Sequence, residues 1–567
     1  MIGEERYRIT SEDYMDVIIE LNENPRLLEQ FPDVVVQSMN DWFAMAYLPA
    51  SQLLLWTISQ YDYSSIPSAF GLTSEISLEA SGILRLRRIP VFNLRGEGVL
   101  VGIIDTGIDY TNPVFRRSDG TTRIAALWDQ TVESDRYPDG AQYGTEYLPE
   151  DINVALSSQD PLSIVPSTDE NGHGTMLAGI AAGTEDEANG FSGVVPDSEL
   201  VVVKLKPMKQ VLREFYIIPP EVPAYQENDI MWGVQYVIDT ARRLQKPVAI
   251  CLGLGSSQGA HDGFGGLGTL LYLTGDFPGV AITVSAGNEG TTRRHFFARV
   301  DANTGYSNVE MNVGEGEEGF VMELWGMAPN TYSIDILSPG GEYIPRIPEG
   351  LYVNREIRFV FERTRIFISY QMIETRTGDQ VIVLRFVEPT PGIWRFQVYS
   401  RGDLEGSFHI WLPMNGFISE NTYFVQPDPY TTIVSPGNTS IPITVTAYNP
   451  VNNNLYQRAS RGYTRGGTVK PELAAPGVNI LAPSLEQGFT AMSGTGAAAA
   501  HAAGVAAIML EWGNVRNNYP GINSIEIKQF LIRGANRSPT LIYPNRDWGY
   551  GMIDIYNVFD MLRSDAN

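Results

Sequence analysis

The chain has 567 residues, of which 43% are hydrophobic and 11% aromatic, so it is globular and too long for a single domain. Its 40 Lys and Arg residues against 66 Asp and Glu residues give a net charge of −26, which argues against nucleic acid or anionic membrane as a partner. A single cysteine, Cys251, excludes an internal disulfide bond, as expected for a reducing compartment.

The first residues, "MIGEERYRITSEDYMDVIIEL", are acidic and lack the basic and then apolar layout of a secretory signal. No segment reaches about 18 uninterrupted apolar residues, the length that a membrane span requires. We therefore expect synthesis inside the cell without a signal peptide and without a membrane span.

Residues 1–66 are predicted to form a small α/β domain. "YMDVIIEL" (14–21) suits a strand, and "NPRLLEQFP" (24–32) a short helix with a proline in its first turn. "DVVVQSMNDWFAMAYLP" (33–49) predicts two strands around a turn at Asn40 and Asp41, and "ASQLLLWTIS" (50–59) predicts a second helix.

Residues 67–292 have the pattern of an α/β domain. Apolar runs at 98–105, 199–205, 247–254 and 279–287 alternate with helical stretches such as "HGTMLAGIAAG". This alternation predicts a doubly wound parallel sheet covered by helices on both faces. Sites in such sheets are assembled at the strand ends.

Residues 293–432 are predicted to be all β. Eight or so short, partly alternating runs are broken by Gly, Pro and Asn, which favours a sandwich or jelly roll. After them, "TSIPITVTAY" and an alanine-rich helix return to the α/β pattern over residues 433–567. The β module is therefore predicted to be an insertion into the α/β domain.

Three polar residues stand where catalytic chemistry is assembled. Asp105 ends the strand of "VGIIDTGID", where a carboxylate can orient an imidazole and support its positive charge. His173 lies between two glycines at the start of a helix in "NGHGTMLAGIAAG". Asn288 follows a buried strand in "VSAGNEG", where an amide can donate to a developing oxyanion. Taken singly, each has a common structural alternative: a capping Asp, a structural His and a turn-forming Asn.

Five motifs in order carry a family resemblance. "IIDTGID", "NGHGTMLAGIAAG", "VSAGNEG", "KPELAAPGVNI" and "SGTGAAAAHAAGVAA" resemble those of the subtilisin-like serine proteases (subtilases, family S8) over residues 79–292 and 433–567. The resemblance implies a subtilisin-like fold and makes residues 1–66 similar to the family's propeptide, a folding chaperone and inhibitor. No cofactor is implied, and no acidic loop is specific enough to predict a metal site.

The long insertion and the absence of a signal peptide resemble, more specifically, the Csp germination proteases of clostridial spores. That resemblance implies that the inserted jelly roll locks the catalytic domain and that the propeptide stays bound, with residues 60–68 predicted to lie in the substrate cleft. It also implies a location in the cortex or coat region of a bacterial spore. The implied partners are other Csp-family proteins, a cortex-hydrolase zymogen and a small-molecule germinant.

The family's roles carry over to four positions. Asp105 and His173 match the acid and base of the catalytic triad, and Asn288 matches the oxyanion-hole residue. "CLGLG" (251–255) resembles the substrate-binding strand, although Cys251 and Gly253 are unusual choices there. Where the family has Gly-Thr-Ser, this chain reads Gly-Thr-Gly, so Gly496 occupies the position of the nucleophilic serine.

Glycine has no side-chain oxygen, so no acyl-enzyme can form at this position. Ser493 matches a family serine without a chemical role, and Thr495 is expected to point elsewhere. Two origins of Gly496 stay open. It is native in a pseudoprotease of the CspC or CspA type, or it was introduced to trap an active protease. The "AAAA" that follows it, where active relatives usually carry Met and Pro, favours a native loss.

The leading prediction is a catalytically dead subtilase that regulates spore germination by binding, through germinant sensing or control of a partner Csp protease. The alternative is an active germination endopeptidase that cleaves a cortex-hydrolase zymogen, represented here by an inactive Ser→Gly variant. A third interpretation is a scaffold that only stabilises partner Csp proteins.

Overall fold

The computed structural model describes residues 2–24, 26, 28, 34–52, 63–72, 81–87 and 93–564. The helix predicted at 24–32 lies largely outside these residues. So does the helix predicted at 50–59, of which only Ala50–Gln52 are described, as one 3-10 turn. Over the part of the chain so described, no helix has the length and apolar character needed to traverse a bilayer.

The N-terminal part is an antiparallel three-stranded sheet with the strand order β1-β3-β2 and one helix. Its elements are α1 (Ile2–Thr10), β1 (Tyr14–Glu20), β2 (Val35–Ser38) and β3 (Phe43–Pro49). The predicted turn at 40–41 is confirmed, because Asn40 Oδ1 accepts the N–H groups of Trp42 and Phe43, both at 2.9 Å. Helix α1 was not predicted.

The predicted parallel sheet is confirmed. From one edge to the other its strands are β25 (Asn454–Leu455), β24 (Ile443–Asn449), β12 (Val280–Ser285), β10 (Val248–Leu252), β5 (Leu100–Asp105), β8 (Glu199–Lys204), β6 (Ile124–Asp129) and β7 (Thr145–Tyr147), with β26 (Leu473–Pro476) also paired to β24. Neighbouring strands run parallel, except that the edge strands β25 and β7 are antiparallel to their neighbours.

Helices cover both faces of this sheet. They are α2 (Ile83–Arg87), α3 (Pro149–Leu156), α4 (His173–Ala182), α5 (Gln210–Tyr216), α6 (Glu227–Leu244), α7 (Gly266–Thr274), α8 (Thr495–Leu510), α9 (Ser524–Gly534) and α10 (Ile555–Ser564). Alternate residues of β5 join opposite cores: Val101 and Ile103 pack with α4 and α8, whereas Leu100 and Ile104 pack with α6. This alternation follows from the two-residue period of a strand.

Two short sheets complete the α/β part. They comprise β4 (Ala69–Leu72), β9 (Tyr225–Gln226) and β11 (Leu254–Gly255) in one sheet, and β27 (Ile480–Pro483) and β28 (Phe489–Met492) in the other. In the first sheet, β4 lies between β11 and β9 and is antiparallel to both. A segment from the N-terminal side of the chain thus becomes the central strand of a sheet whose other two strands come from the α/β domain.

The β module consists of two antiparallel sheets. Its strands are β13 (His295–Arg299), β14 (Tyr306–Val313), β15 (Gly319–Gly326), β16 (Thr331–Leu337), β17 (Tyr343–Ile347), β18 (Tyr352–Arg358), β19 (Arg365–Gln371), β20 (Gln380–Val387), β21 (Gly392–Arg401), β22 (Ser407–Trp411) and β23 (Tyr423–Phe424). One sheet has the order β13-β22-β15-β20-β19-β18 and the other β17-β16-β21-β14-β23. Strands β14 and β21 pair in one sheet, and β15 and β20, which lie between them along the chain, pair with each other in the other sheet. The eight predicted runs all fall on strands of this sandwich, while the jelly-roll topology and the domain boundaries stay predictions.

A separate apolar core joins the three parts of the molecule. It contains Leu212 and Phe215 from the α/β domain, Trp325 and Trp411 from the β module, and Ile66 from the N-terminal side. This core therefore encloses Ile66, which belongs to the segment that leads into β4.

Candidate active site

Asp105 and His173 form a buried pair at the carboxyl end of the parallel sheet. Asp105 is the last residue of β5 and His173 the first residue of α4, and they are 0% and 4% exposed. The Nδ1 atom of His173 lies 2.6 Å from Oδ1 of Asp105, which also accepts the N–H of Thr106 at 2.8 Å. Because a carboxylate only accepts, Nδ1 carries the proton and donates, which leaves Nε2 as the basic nitrogen.

Asp169 positions this pair, and the sequence analysis did not single it out. Its Oδ1 accepts the N–H of Gly172 at 2.8 Å and the hydroxyl of Thr106 at 2.8 Å. Its Oδ2 accepts both the N–H and the hydroxyl of Thr175, at 2.9 and 2.7 Å. Asp169 therefore caps the start of α4 and fixes it to the turn after β5. An Asp four residues before the helical His was the only local signal.

Two glycines allow α4 to approach the sheet closely. A Cβ atom on Gly174 would lie 2.3 Å from the carbonyl oxygen of Gly107. On Gly253 it would lie 2.6 Å from Leu177 Cδ1 and 3.3 Å from His173 Cε1. A side chain at 253 would therefore require Leu177 to shift and would crowd the imidazole of His173.

Cys251 cannot replace the missing nucleophile. It is 0% exposed within β10. Burial, together with the charge of Asp105, raises the pKa of its thiol well above the ordinary value. A buried, protonated thiol is a poor nucleophile, so Cys251 serves the core.

Asn288 is held by its amide oxygen. Oδ1 of Asn288 accepts from the N–H of Thr495 at 3.2 Å and from its hydroxyl at 3.3 Å. The same hydroxyl accepts the N–H of Gly287 at 3.0 Å. With its oxygen fixed in this way, the amide directs its NH2 group away from Thr495, as a donor to an oxyanion must.

Gly496 is the second residue of α8 and is buried. The Thr495 hydroxyl accepts the N–H of Gly287, which follows the carboxyl end of β12, so the start of α8 with Gly496 lies at the same end of the parallel sheet as His173. The neighbouring hydroxyls are engaged elsewhere: Ser493 Oγ accepts the N–H of Asn479 at 3.4 Å, and Thr495 is buried and bonded on both sides. The position offers a backbone N–H and no hydroxyl.

A strand of the chain itself pairs with the segment that was predicted to bind substrate. In β4, Gly71 pairs with Gly255 and Leu72 with Leu254, while Phe70 pairs with Tyr225 on the other side. Of residues 60–68, which were predicted to lie in the substrate cleft, 60–62 are outside the described part, and their placement in the cleft stays a prediction.

The strand begins after residue 68 for a physical reason. Pro67 has no N–H to donate. The N–H of Ser68 is bound by Glu227 Oε2 at 3.1 Å, and that of Ala69 by Gln258 Oε1 at 2.9 Å. Side chains of the α/β domain therefore hold the backbone where β4 begins.

Three of the remaining histidines form a stack at the module junction. The rings of His261 and Trp411 are 4.1 Å apart and nearly parallel, and His295 and His409 stack on Trp411 at 4.9 and 5.1 Å. Nε2 of His295 lies 2.9 Å from Nδ1 of His409. His501 lies apart from them, buried in α8. No sequence motif marks this stack, because its members are far apart along the chain.

Within the described ranges, no group of three or more His, Cys, Asp and Glu side chains is arranged to hold a metal ion. The site thus consists of an imidazole oriented by Asp105, an asparagine amide held by its oxygen, and a glycine at position 496.

A family model agrees with this geometry. The model of the subtilase family of S8 peptidases matches residues 96–312 and 420–551. The unmatched interval between the two matches falls within the β module.

The structure of the CspB protease from Clostridium perfringens superposes with a TM-score of 0.77. It is 32% identical to this chain, and the alignment covers 86% of this chain and 97% of that one. The PII-type proteinase of Lacticaseibacillus paracasei is 22% identical over 535 residues, which are 84% of this chain and 26% of that protein. The intracellular serine protease of Paenibacillus polymyxa is 24% identical over 273 residues, covering 48% of this chain and 65% of that protein. The chain thus spans about a quarter of the length of the PII-type relative.

Proposed function

The chain belongs to the subtilase family and is a subtilisin-like protein of the Csp type, and on this premise we propose that it is a catalytically inactive member that acts by binding. The observation that carries the proposal is the residue at 496. The acid–base pair and the oxyanion residue are in place, but the first turn of α8 presents glycine where attack on a carbonyl requires a side-chain oxygen.

The size of the expected loss supports inactivity. In subtilisin, removing the nucleophilic serine alone lowers kcat roughly a millionfold, which corresponds to about 8 kcal/mol of activation free energy. A substitute hydroxyl would have to reach the carbonyl carbon from the same place. The Thr495 hydroxyl is committed to Gly287 and Asn288, so it is not available for that role.

The filled cleft supports a retained propeptide-like segment. Besides the pairing of β4, the hydroxyl of Tyr63 donates to Oε1 of Glu323 in the β module at 2.5 Å. Oε2 of Glu323 accepts the N–H of Gly259 at 3.0 Å, next to the cleft. The buried carboxylate of Glu323 thus binds both Tyr63 and Gly259, which favours lasting occupation of the cleft by the segment that contains Tyr63.

A second link lies on the opposite side of the N-terminal domain. Asp16 of β1 is buried and accepts from Lys209 Nζ at 2.7 Å, Gln226 Nε2 at 2.6 Å and Asn228 Nδ2 at 2.9 Å. Burial opposes the charge, but Lys209 keeps the pKa of the Asp16 carboxyl below its ordinary value. Replacement of Lys209 alone would leave the Asp16 carboxylate buried without its charged partner, which is strongly unfavourable.

The biological setting follows from the Csp resemblance. We propose that the protein regulates bacterial spore germination in the cortex or coat region, by sensing a germinant or by controlling a partner Csp protease. A cortex-hydrolase zymogen would then be bound or presented, not cut.

The alternative is an active germination endopeptidase that is represented here by an inactive variant. The 2.6 Å contact between His173 and Asp105 favours it, because the acid–base pair is preserved in a site without a nucleophile. The codon at position 496 in the source genome separates the two: a glycine codon supports the inactive regulator, and a serine codon supports the endopeptidase.

Intact mass after expression tests the proposal. The unmodified chain should remain one piece of 62.7 kDa. Gly496→Ser restores the hydroxyl, and the matched control Gly496→Ser/His173→Ala restores it without the base. Self-cleavage of the unmodified chain would contradict the proposal. Cleavage of the Gly496→Ser variant alone would show that the missing hydroxyl is what stops the reaction.

A further inference from the structure

A cationic hollow lies where the β module meets the α/β domain. It has a volume of about 380 Å³. Its lining comprises Thr291, Thr292, Arg293, Arg294, Asn415, Glu420, Tyr423 and Arg458. Three arginines converge there in a protein whose net charge is −26. The negative net charge of the protein repels anions, so an anion site requires a local group of positively charged side chains such as this one.

The three arginines differ in how they are held. Arg294 is 4% exposed and lies 3.9 Å from the buried carboxylate of Glu289, while its Nε is buried without a hydrogen-bond acceptor. Arg293 is exposed, and its guanidinium lies 3.8 Å from the centre of the Tyr423 ring. Arg458 is exposed, and its guanidinium donates to no acceptor among the described residues. The hollow therefore has two cations at its rim and one in its wall.

Neutral donors complete the lining. Oδ1 of Asn415 accepts from Arg294 Nη1 at 3.4 Å, which leaves the amide NH2 of Asn415 to donate. Thr291 and Thr292 also line the hollow, and the hydroxyl of Thr292 donates to the carbonyl oxygen of Glu289 at 3.0 Å. Glu420 is the one anionic side chain in this lining. Because it repels an anion, we expect the ligand to be small and to lie beside the arginines.

The backbone ties this hollow to the active-site loop. The N–H of Gly290 donates to the carbonyl oxygen of Arg458 at 3.0 Å, and the N–H of Glu289 donates to Ser460 Oγ at 3.0 Å. Asn288 is the residue just before this pairing. A ligand on Arg458 would thus bind a residue whose backbone is hydrogen-bonded to the loop that carries Asn288.

We propose that this hollow binds a small oxyanion, either a carboxylate or a phosphate. The planar guanidinium groups of Arg293 and Arg458 match the two oxygens of such groups, and their hydrogen bonds would be charge-assisted. The site does not depend on the proposed loss of catalysis, because none of its residues belongs to the catalytic set.

Calorimetry on the full-length chain tests the site with two probes, inorganic phosphate and succinate, against chloride at equal ionic strength. We expect saturable binding of at least one probe, weakened at least about tenfold in Arg458→Ala, since a hydrogen bond to a charged group contributes about 1.5–3 kcal/mol. Arg299→Ala is the matched control, because Arg299 is an exposed arginine of the module that pairs with Glu405 at 3.3 Å. It should bind like the unmodified chain.

Two results would overturn the proposal: no binding of either probe beyond chloride, or equal binding by the unmodified chain and Arg458→Ala. Arg293→Ala provides a second variant should Arg458→Ala change the thermal unfolding of the free protein. The comparison of phosphate with succinate identifies the ligand class.

Discussion

The hydroxyl of Thr495 lies 3.3 Å from Oδ1 of Asn288 and, on its other side, accepts the N–H of Gly287 at 3.0 Å. One buried side chain thus joins the first turn of α8 to the loop after β12. Asn288 is therefore positioned by the residue next to Gly496.

Thr495→Val should lower the free energy of unfolding by about 1–3 kcal/mol, because the N–H of Gly287 would be buried without an acceptor. Thr495→Ser keeps the hydroxyl and should lose less than about 1 kcal/mol. Urea unfolding of the two variants side by side measures the difference. Equal stabilities would show that the hydroxyl does not hold the loop.

Phe70→Ala should release the strand in the cleft. Phe70 is 0% exposed and packs in the core that contains α6, so its removal should cost about 3–5 kcal/mol. Hydrogen exchange at residues 69–72 should accelerate. Phe361→Ala, at a side chain that is 87% exposed, is the control and should change stability by less than about 0.5 kcal/mol. Unchanged exchange in Phe70→Ala would mean that the strand is held by its backbone alone.

Asp105 should matter only when the hydroxyl is restored. In the Gly496→Ser background, Asp105→Asn should slow self-cleavage by about four orders of magnitude, because the imidazole would lose its tautomer and its counter-charge. The rate is measured as the loss of full-length chain with time. Asp119→Asn, at an exposed aspartate, is the control and should leave the rate unchanged. A rate in Asp105→Asn equal to that of the control would contradict the assigned role.

Acid should loosen the module junction through the histidine stack. Burial lowers the pKa of His261 from 6.5 to about 4 and that of His295 to about 3, and it lowers the pKa of His409 as well. The unfolded chain therefore takes up protons first as the pH falls. The stability that the neutral, buried histidines contribute is complete above about pH 6.5 and decreases as the pH falls toward 4. For His261 alone, the decrease in the free energy of unfolding is up to about 3 kcal/mol.

Urea unfolding at pH 7.5 and pH 5 measures this loss. His409→Phe keeps an aromatic ring beside Trp411 but removes one titrating group, so its loss between the two pH values should be smaller. A pH dependence identical to that of the unmodified chain would show that His409 does not contribute to acid sensitivity.

The residues that the sequence identified lie in local motifs. Asp105 and His173 were found because each stands at the end or start of a regular element with a distinctive glycine pattern, and the structure places them 2.6 Å apart. Asp169 was missed because its role depends on four backbone and hydroxyl donors from two segments, the turn after β5 and the start of α4, that meet only in the fold. The histidine stack was missed for the same reason.

The strand at Ala69–Leu72 was not predicted. Residues 61–71 are rich in turn-forming residues, and the contacts of Glu227 and Gln258 with the backbone of residues 68 and 69 form only in the fold. The helix Ile2–Thr10 was not predicted either, because its sequence is mostly polar and only Ile9 is deeply buried among its described side chains.

The most direct test of the central claim is labelling by a fluorophosphonate, which reacts covalently with an activated active-site serine. We expect no labelling of the unmodified chain and labelling of Gly496→Ser that is lost when His173→Ala is added. Stoichiometric, His173-dependent labelling of the unmodified chain would show that another hydroxyl serves as nucleophile, and would contradict the account.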